Sequence, residues 1–272
     1  GHMVRLIAPA YVKPFVKRQK NDAADAEAIA EAASRPTMRF VAVKSVTKQA
    51  AGLTFKTRDL LVRQRTQAIS ALRGHLAEYG LIAPQGPAHP ARLKDALGQS
   101  GSELPEAVIE IGMELLSHIE ALEVRINGLS ARLRAEARRD ETARRLMTIP
   151  GVGPVCAVAL AALAPPVSSF SKGRDFAARI GLVPRQNSSG GKARLGRTSK
   201  MGQRDLRRLL IIGATSVVRW QARHGAPAGS WMARMPATKP KMLVAVALAN
   251  KIARVAWALM RGDGVYRAPA TA

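Results

Sequence analysis

The sequence contains little cysteine, few aromatic residues and few acidic residues. Its 272 residues include one cysteine, Cys156, which excludes a disulfide framework within one chain. Five scattered histidines and this cysteine form no zinc-ligand pattern. Aromatic residues make up 4%, too few for a surface that binds single strands mainly by base stacking. The chain has two long apolar runs. Prolines interrupt the run 149–171, and Lys251 and Arg254 interrupt the run 242–260, so neither reaches the ~20 uninterrupted residues of a membrane span. We therefore expect a soluble, cytoplasmic protein that does not bind a membrane.

Basic residues are in large excess. The chain has 43 Lys and Arg against 19 Asp and Glu, a formal charge of +24. Residues 180–272 hold seventeen basic and two acidic residues. A charge concentrated in this way indicates a polyanionic partner, and nucleic acid is favoured. A membrane surface is the competing partner, but many of these cations lie in a Gly-rich loop rather than on one face of an amphipathic helix.

The pattern of the chain predicts a mainly α fold. Residues 4–45 contain two short strand candidates, 4–8 and 39–43, on either side of a helix over 21–33. This unit is too small for a whole domain and indicates the remnant of an α/β domain. Residues 46–145 are predicted to be helical, with a Gly- and Pro-rich loop from 84 to 105. Residues 146–272 form a mostly helical C-terminal domain.

The clearest periodic signal is a heptad seam in residues 106–135. Its apolar positions follow a 4-3-4-3 spacing and are Val108, Gly112, Leu115, Ile119, Leu122, Ile126, Leu129 and Leu133. Such a seam predicts a coiled-coil helix. The helix either packs on residues 46–79 of its own chain or pairs with a second copy, and both arrangements are compatible in a dimeric or tetrameric bundle.

The segment Ile149–Ala157 has the pattern of a helix-hairpin-helix turn. Gly151 and Gly153 allow a sharp turn, and the helix that follows presents free N–H groups to a phosphate. A plain tight turn between two helices is the alternative interpretation.

A second segment, Pro184–Lys192, places two serines directly before two glycines. A serine hydroxyl needs positioning and activation to act as a nucleophile. The surrounding cations could stabilise charge on a phosphodiester. Composition alone favours a flexible loop that only binds phosphate.

A third segment places Asp22 and Asp25 one helical turn apart. Two carboxylates on one face can hold Mg²⁺ together with waters and phosphate oxygens. The alternative is that they are ordinary acidic residues at a helix N-terminus.

The segment 204–210 predicts a basic helix that has leucines on its inner face and arginines on its outer face. We expect nucleic acid to contact these arginines and the two glycine-rich segments. The predicted contact residues are Gly151, Gly153, Arg185, Ser188, Gly190, Lys192, Arg194, Arg197, Lys200, Arg204, Arg207 and Arg208.

Taken together, these segments resemble one family. The resemblance is carried by the segments 12–17, 20–26, 149–154, 181–184, 189–192, 199–202 and 206–210, in this order and spacing. The family is that of the Piv/MooV-like insertion-sequence transposases of the IS-one-ten type, also called bridge-RNA-guided recombinases.

The resemblance implies an N-terminal RuvC-like domain with four acidic residues, a coiled-coil linker and a C-terminal transposase domain. It implies that Ser189, with Ser188 as the fallback, attacks a DNA phosphodiester. Asp22 and Asp25 correspond to the last two acidic residues, which with Mg²⁺ complete a composite site. DNA and a guide RNA are the implied partners.

The first two acidic residues of the family lie upstream of residue 1. We therefore expect residues 4–45 to be the C-terminal part of the RuvC-like domain, and this chain to be impaired in strand exchange. A site-specific DNA invertase of the same family is an alternative function. A non-catalytic, dimerising DNA-binding regulator is another.

Overall fold

The computed structural model describes residues 2–17, 21–84, 86, 90–99, 104–227 and 229–268, without the side chains of residues 236 and 237. The fold is mainly α, as predicted, and its only strands within these ranges form two short antiparallel pairs. Lys20, the first residue of the predicted acidic segment, lies outside the described residues.

The N-terminal unit contains the strand–helix–strand order predicted for it. Strand β1 (Leu6–Ile7) pairs antiparallel with β2 (Phe40–Val41). Between them lie α1 (Pro9–Val12), a 3₁₀ turn (Lys13–Phe15) and α2 (Asp22–Ser34). The Asn21 side chain accepts a hydrogen bond from the backbone N–H of Ala24 at 2.7 Å and so caps α2.

Two long helices form an antiparallel pair. Helix α3 (Val46–Ala77) packs along α5 (Glu106–Arg139), with Arg58 contacting Ser130 and Arg65 contacting Glu123. The heptad seam is turned toward the same chain, and its fully buried members are Gly112, Ile119, Leu122, Ile126 and Leu133. The intrachain alternative is therefore present in the structure. Pairing of α5 with a second copy stays a prediction.

The expected loop over residues 84–105 was wrong for its central part. Helix α4 (Pro90–Gln99) lies there and buries Leu93 and Leu97 against α3 and α5. Proline suits a first helical turn, and the two leucines are one turn apart. Gly112 permits this close approach, because a Cβ there would lie 2.8 Å from Leu97 Cδ1.

The C-terminal helices surround α7 and α11. The elements are α6 (Glu141–Leu146), α7 (Pro154–Leu163), a 3₁₀ turn (Val167–Ser169), α8 (Gly173–Ile180), β3 (Pro184–Gln186), β4 (Leu195–Thr198), α9 (Arg204–His224), α10 (Trp231–Thr238) and α11 (Lys241–Arg261). Phe55 of α3 and Leu133 of α5 belong to the same buried cluster as these helices. Residues on both sides of the predicted domain boundary at 145/146 therefore share one buried core. The boundary itself stays a prediction.

Helix α11 is long and apolar enough to cross a membrane by length and composition, and no other helix in the described ranges is. Core helices of soluble proteins have the same composition. Here α11 buries Val244, Leu248 and Ile252 in the main cluster, and Asn250 Nδ2 donates to the Leu182 carbonyl at 3.1 Å. Its packing is that of a core helix within the mostly helical C-terminal domain expected from the sequence.

Candidate active site

The segment with two serines and two glycines is an ordered β-hairpin. Strands β3 and β4 pair antiparallel, with Gln186 opposite Leu195. At the tip, the Lys192 N–H donates to the Ser189 carbonyl at 3.0 Å. Gly190 and Gly191, the two central residues of the turn, have φ values of +55° and +74°, which glycine adopts without strain. Two adjacent positive φ angles are typical of the tight turn that matches strand twist, so Gly-Gly fixes the position of Ser189.

The structure distinguishes the two serines. Ser188 Oγ accepts a hydrogen bond from the Arg194 backbone N–H at 3.1 Å and helps to hold the hairpin closed. Ser189 is exposed, and its hydroxyl has no hydrogen-bond partner among the described residues. Both serines are exposed, and the difference between them is that only the Ser188 hydroxyl accepts a hydrogen bond within the described residues.

Four cations lie along the hairpin, with Lys192 and Arg194 next to its tip and Arg185 and Arg197 near its base. Arg185, Lys192, Arg194 and Arg197 are all exposed, and no ion pair involves them within the described ranges. The sequence has no Asp or Glu between residues 175 and 205. The hairpin therefore presents uncompensated positive charge, as a phosphate-binding surface requires.

The base of the hairpin is closely packed against α8. The Ser199 N–H donates to Val183 and the Lys200 N–H donates to Gly181, at 2.8 and 3.3 Å. Gly181 has a φ of +79°, and a Cβ there would lie 2.7 Å from the backbone N of Met201. Lys200 has a φ of +54°, which is uncommon outside glycine. This packing holds the hairpin in a fixed direction.

Two of the predicted contact arginines have partners within the protein. Arg207 Nη1 donates to the carbonyls of Ile180 and Met201 at 2.8 and 2.9 Å, which joins α8 to the loop before α9. Burial, and then the nearby Arg204 charge, lower the pKa of Arg207. Arg208 forms an ion pair with Asp59 of α3.

Asp59 is 6% exposed, and Arg63 lies 3.7 Å from its other oxygen. Both predicted contacts, at Arg207 and at Arg208, compete with structural roles, whereas Arg204 and Lys200 are exposed and unpaired within the described ranges. The one feature of the sequence that could have indicated the Arg208–Asp59 ion pair is Asp59 itself, the single acidic residue of α3.

The predicted helix-hairpin-helix turn joins α6 to α7. Gly151 has a φ of +87° and lies against Gly213 of α9, where a Cβ would come within 2.7 Å of the Gly213 carbonyl oxygen. Gly153 is exposed and begins α7 without a side-chain cap. Close packing therefore explains glycine at 151, while the open start of α7 at Gly153 remains accessible to a phosphate. Nucleic-acid contact at either residue stays a prediction.

Asp22 and Asp25 lie at the start of α2, one exposed and one half-buried. Asp25 borders an open, mostly apolar cavity of about 920 Å³. In the described part of the chain, no group of three His, Cys, Asp or Glu side chains forms a metal site. The two carboxylates are suitable ligands for Mg²⁺, but they are an incomplete set without waters, phosphate oxygens or further acidic residues.

No hydrogen bond or ion pair joins the acidic pair to Ser189 within the described residues. The N-terminal unit does lie beside α8, where Arg39, Phe40, Pro165 and Arg179 help to line a cavity of about 700 Å³. Lys44 Nζ also donates to the Leu163 carbonyl at 3.4 Å, and burial lowers the pKa of Lys44.

Two protein-family models match this chain, one over its N-terminal part and one over the segment that contains the hairpin. The family described as "Transposase IS116/IS110/IS902 family" matches residues 143–227, and a DEDD-type IS110 family described as "Transposase" matches residues 1–81. "Probable family 20 transposase" of Pseudomonas aeruginosa is 46% identical over 98% of the chain and 80% of that relative. The chain belongs to the IS110/IS116 family of transposases.

Two further relatives are named for the elements that encode them. "Transposase for insertion sequence element IS1328" of Yersinia enterocolitica is 40% identical over 98% of the chain and 79% of that relative. "Transposase for insertion sequence element IS1111A" of Coxiella burnetii is 39% identical over 98% of the chain and 74% of the relative. The IS110/IS116 assignment supports DNA transposition as the function, and the DEDD domain suggests dependence on a divalent metal. The C-terminal match covers the hairpin, the α6–α7 turn and α9.

Proposed function

We propose that this IS110/IS116 transposase exchanges DNA strands with Ser189 as the nucleophile. The supporting observation is the hairpin, in which an exposed serine lies next to a two-glycine turn and four exposed cations without an ion pair among the described residues lie along the two strands. In the proposed step, Ser189 Oγ bonds to the phosphorus of a DNA phosphodiester. The bond from phosphorus to a deoxyribose oxygen breaks. The serine proton passes to a base, and the leaving oxygen receives a proton.

The cations of the hairpin supply the electrostatic part of this reaction. A phosphodiester that approaches Ser189 meets Lys192 and Arg194 next to the turn, and their charges oppose the negative charge that grows on the phosphate oxygens. Because the hairpin is fixed at its base by Gly181 and Ser199, the serine keeps its orientation when DNA binds.

Asp22 and Asp25 are the proposed protein ligands of Mg²⁺. A divalent cation there would neutralise charge on a DNA phosphate. The cavity between the N-terminal unit and α8 is lined by Arg39, Asp175 and Arg179, and neither the acidic pair nor a residue of the hairpin lines it. The prediction that the chain needs further acidic residues for normal activity stays open.

A covalent-capture experiment tests the nucleophile. The protein is incubated with Mg²⁺, candidate element RNA and a nicked DNA substrate that traps a protein–DNA adduct, and the products are separated on a denaturing gel. We expect Ser189→Ala to abolish the adduct. Ser188→Ala is the matched control and should retain it, because Ser188 supplies only a hydrogen bond to Arg194.

The outcomes separate the alternative functions. An adduct lost only in Ser188→Ala would move the nucleophile to Ser188. No adduct with the wild-type chain or with a version that carries the two further acidic residues of the family, together with tight salt-dependent DNA binding, would favour the non-catalytic regulator. That alternative is supported by the described residues, among which no group of three His, Cys, Asp or Glu side chains could hold a metal ion. A DNA invertase would form the same adduct and differ only in its substrate.

A guide RNA is the proposed source of sequence specificity. The exposed cations of the hairpin suit phosphates of any sequence, and phosphate contacts carry no sequence information. An element transcript should therefore bind more tightly than a scrambled RNA of equal length in a gel-shift titration. Equal affinities would contradict this part of the proposal. The protein's place of action is proposed to be the cytoplasm.

Self-association is proposed to use the outer face of α5. The inner face is already buried on α3, whereas Met113 and Val124 lie three turns apart and are 44% and 72% exposed. Val124→Asp should lower the mass measured by light scattering from dimer or tetramer to monomer. An unchanged mass would remove this face from the interface.

A further inference from the structure

An exposed tryptophan lies on the C-terminal half of α9. Trp220 is 59% exposed, and its ring stacks on His224 with centroids 4.7 Å apart and planes 20° apart. His224 Nδ1 lies 2.9 Å from the Trp220 carbonyl oxygen, which fixes the histidine ring. The other tryptophans, Trp231 and Trp257, are half-buried. One face of the Trp220 ring is therefore supported from behind, and the side chain remains accessible to solvent.

The surroundings of Trp220 carry positive charge. Arg219 and Arg223 are exposed on the same part of α9, and neither forms an ion pair within the described residues. The sequence has no Asp or Glu from residue 206 to residue 262. Ile212 and Ser216 continue this exposed face toward the helix N-terminus at helical spacing. We call residues 212, 216, 219, 220 and 223 the α9 face.

The charge of the α9 face identifies the class of partner. A second copy meeting this face in a two-fold contact would bring arginines of like charge together, which is unfavourable. A nucleic-acid strand supplies the complementary charge to the arginines and a flat ring to the indole. A base within a duplex has both faces covered by its neighbours, so only an unpaired base can stack on Trp220.

We propose that Trp220 stacks on an unpaired base of the DNA substrate while Arg219 and Arg223 contact the adjoining phosphates. The inference rests on the proposed function, because exchange of DNA strands leaves bases temporarily unpaired. Arg204, next to the base of the hairpin, and Trp220 are 16 positions apart on one helix. At 1.5 Å per residue this is about 24 Å. A strand along α9 covers that distance in about seven nucleotides.

Binding titrations of the full chain test the inference. Labelled oligonucleotides of one sequence are used as single-stranded DNA, duplex DNA and single-stranded RNA at a fixed salt concentration, and binding is followed by anisotropy. Trp220→Leu should weaken binding of single-stranded DNA by roughly 5- to 150-fold and leave duplex binding unchanged. Trp220→Phe should retain most of the affinity. Leu53→Ala, which shortens an exposed apolar side chain of α3 outside the α9 face, is the control and should have no effect.

Three results would overturn the inference. The first is unchanged binding of single-stranded DNA by Trp220→Leu. The second is an effect of this variant on RNA alone. The third is a change in sedimentation coefficient with unchanged DNA binding, which would make the face a contact between copies. The covalent adduct reports on Ser189 and the binding of single-stranded DNA reports on Trp220, so failure of the proposed nucleophile and failure of the Trp220 contact are distinguishable.

Discussion

The contact between the α6–α7 turn and α9 gives a stability prediction in which two Gly→Ala changes act in opposite directions. Gly213 lies in the middle of α9. A Cβ there would overlap the carbonyl oxygen of Gly151 and lie 3.0 Å from its carbonyl carbon. Both opposing atoms belong to the backbone, so no side-chain rotation relieves the overlap. The Gly213→Ala substitution must therefore move α9 away from the turn.

The expected magnitude combines two terms. Overpacking of this kind costs about 1–3 kcal/mol or more. Alanine is favoured over glycine inside a helix by about 1 kcal/mol. The overlap is with backbone on both sides, so we take the upper part of the overpacking range and expect a net loss of about 2 kcal/mol in the free energy of unfolding. For a chain of this size that lowers the melting temperature by roughly 4–8 °C.

Gly128→Ala is the matched control. Gly128 lies within α5, is exposed and would place its Cβ in open space. The helix-propensity term then acts alone, and thermal unfolding followed by circular dichroism should show a rise of roughly 2–4 °C. If Gly213→Ala stabilised the protein as Gly128→Ala does, the close approach of Gly151 and Gly213 would be refuted.

Three further predictions follow from buried or unpaired charges. Arg208→Met should destabilise the chain by about 2 kcal/mol in urea unfolding, because it leaves the buried Asp59 carboxylate with only the weaker ion pair to Arg63 at 3.7 Å. Asp59→Asn should cost less, because Arg208 is partly exposed. Burial raises the pKa of the Cys156 thiol to about 12, so the thiol should resist alkylation at pH 8 until denaturant is added. Because folding raises the pKa of Cys156, the contribution of the neutral thiol to the free energy of unfolding is complete below about pH 9. This contribution is lost as the pH rises toward 12. Arg197→Ala should lower the slope of log affinity against log salt for DNA by about one unit, and an unchanged slope would remove Arg197 from the phosphate contacts.

Local patterns were enough to predict most of the helices. The heptad spacing placed α5, and the helix expected over 21–33 agrees with α2 to within one residue at each end. These signals depend on residues within one or two turns of each other, which sequence shows directly. Helix α4 was missed because the prolines and glycines around it are typical of loops.

The site was predictable in its residue types but not in its contacts. Composition alone favoured a flexible loop around Ser189, whereas the Gly-Gly pair between two extended segments indicates a hairpin and was the better signal. The partner of Arg208 lies 149 positions away in the sequence, and no local pattern could assign it. Three arginines on one exposed-looking helix face were treated as equal, and only tertiary packing shows that Arg207 and Arg208 are anchored while Arg204 is not.

These anchors explain how a positively charged hairpin keeps a fixed direction. Repulsion among four nearby cations would favour an open loop if the loop ended in solvent. Here the Gly-Gly turn closes one end, and Arg207 secures the other end by joining the end of α8 to the loop before α9. Arg207 reaches carbonyl groups and not carboxylates, so the anchor consumes no acidic residue and leaves the hairpin charge unreduced. A surface that must hold a phosphodiester in place needs both properties, and the order of residues 181–208 supplies them together.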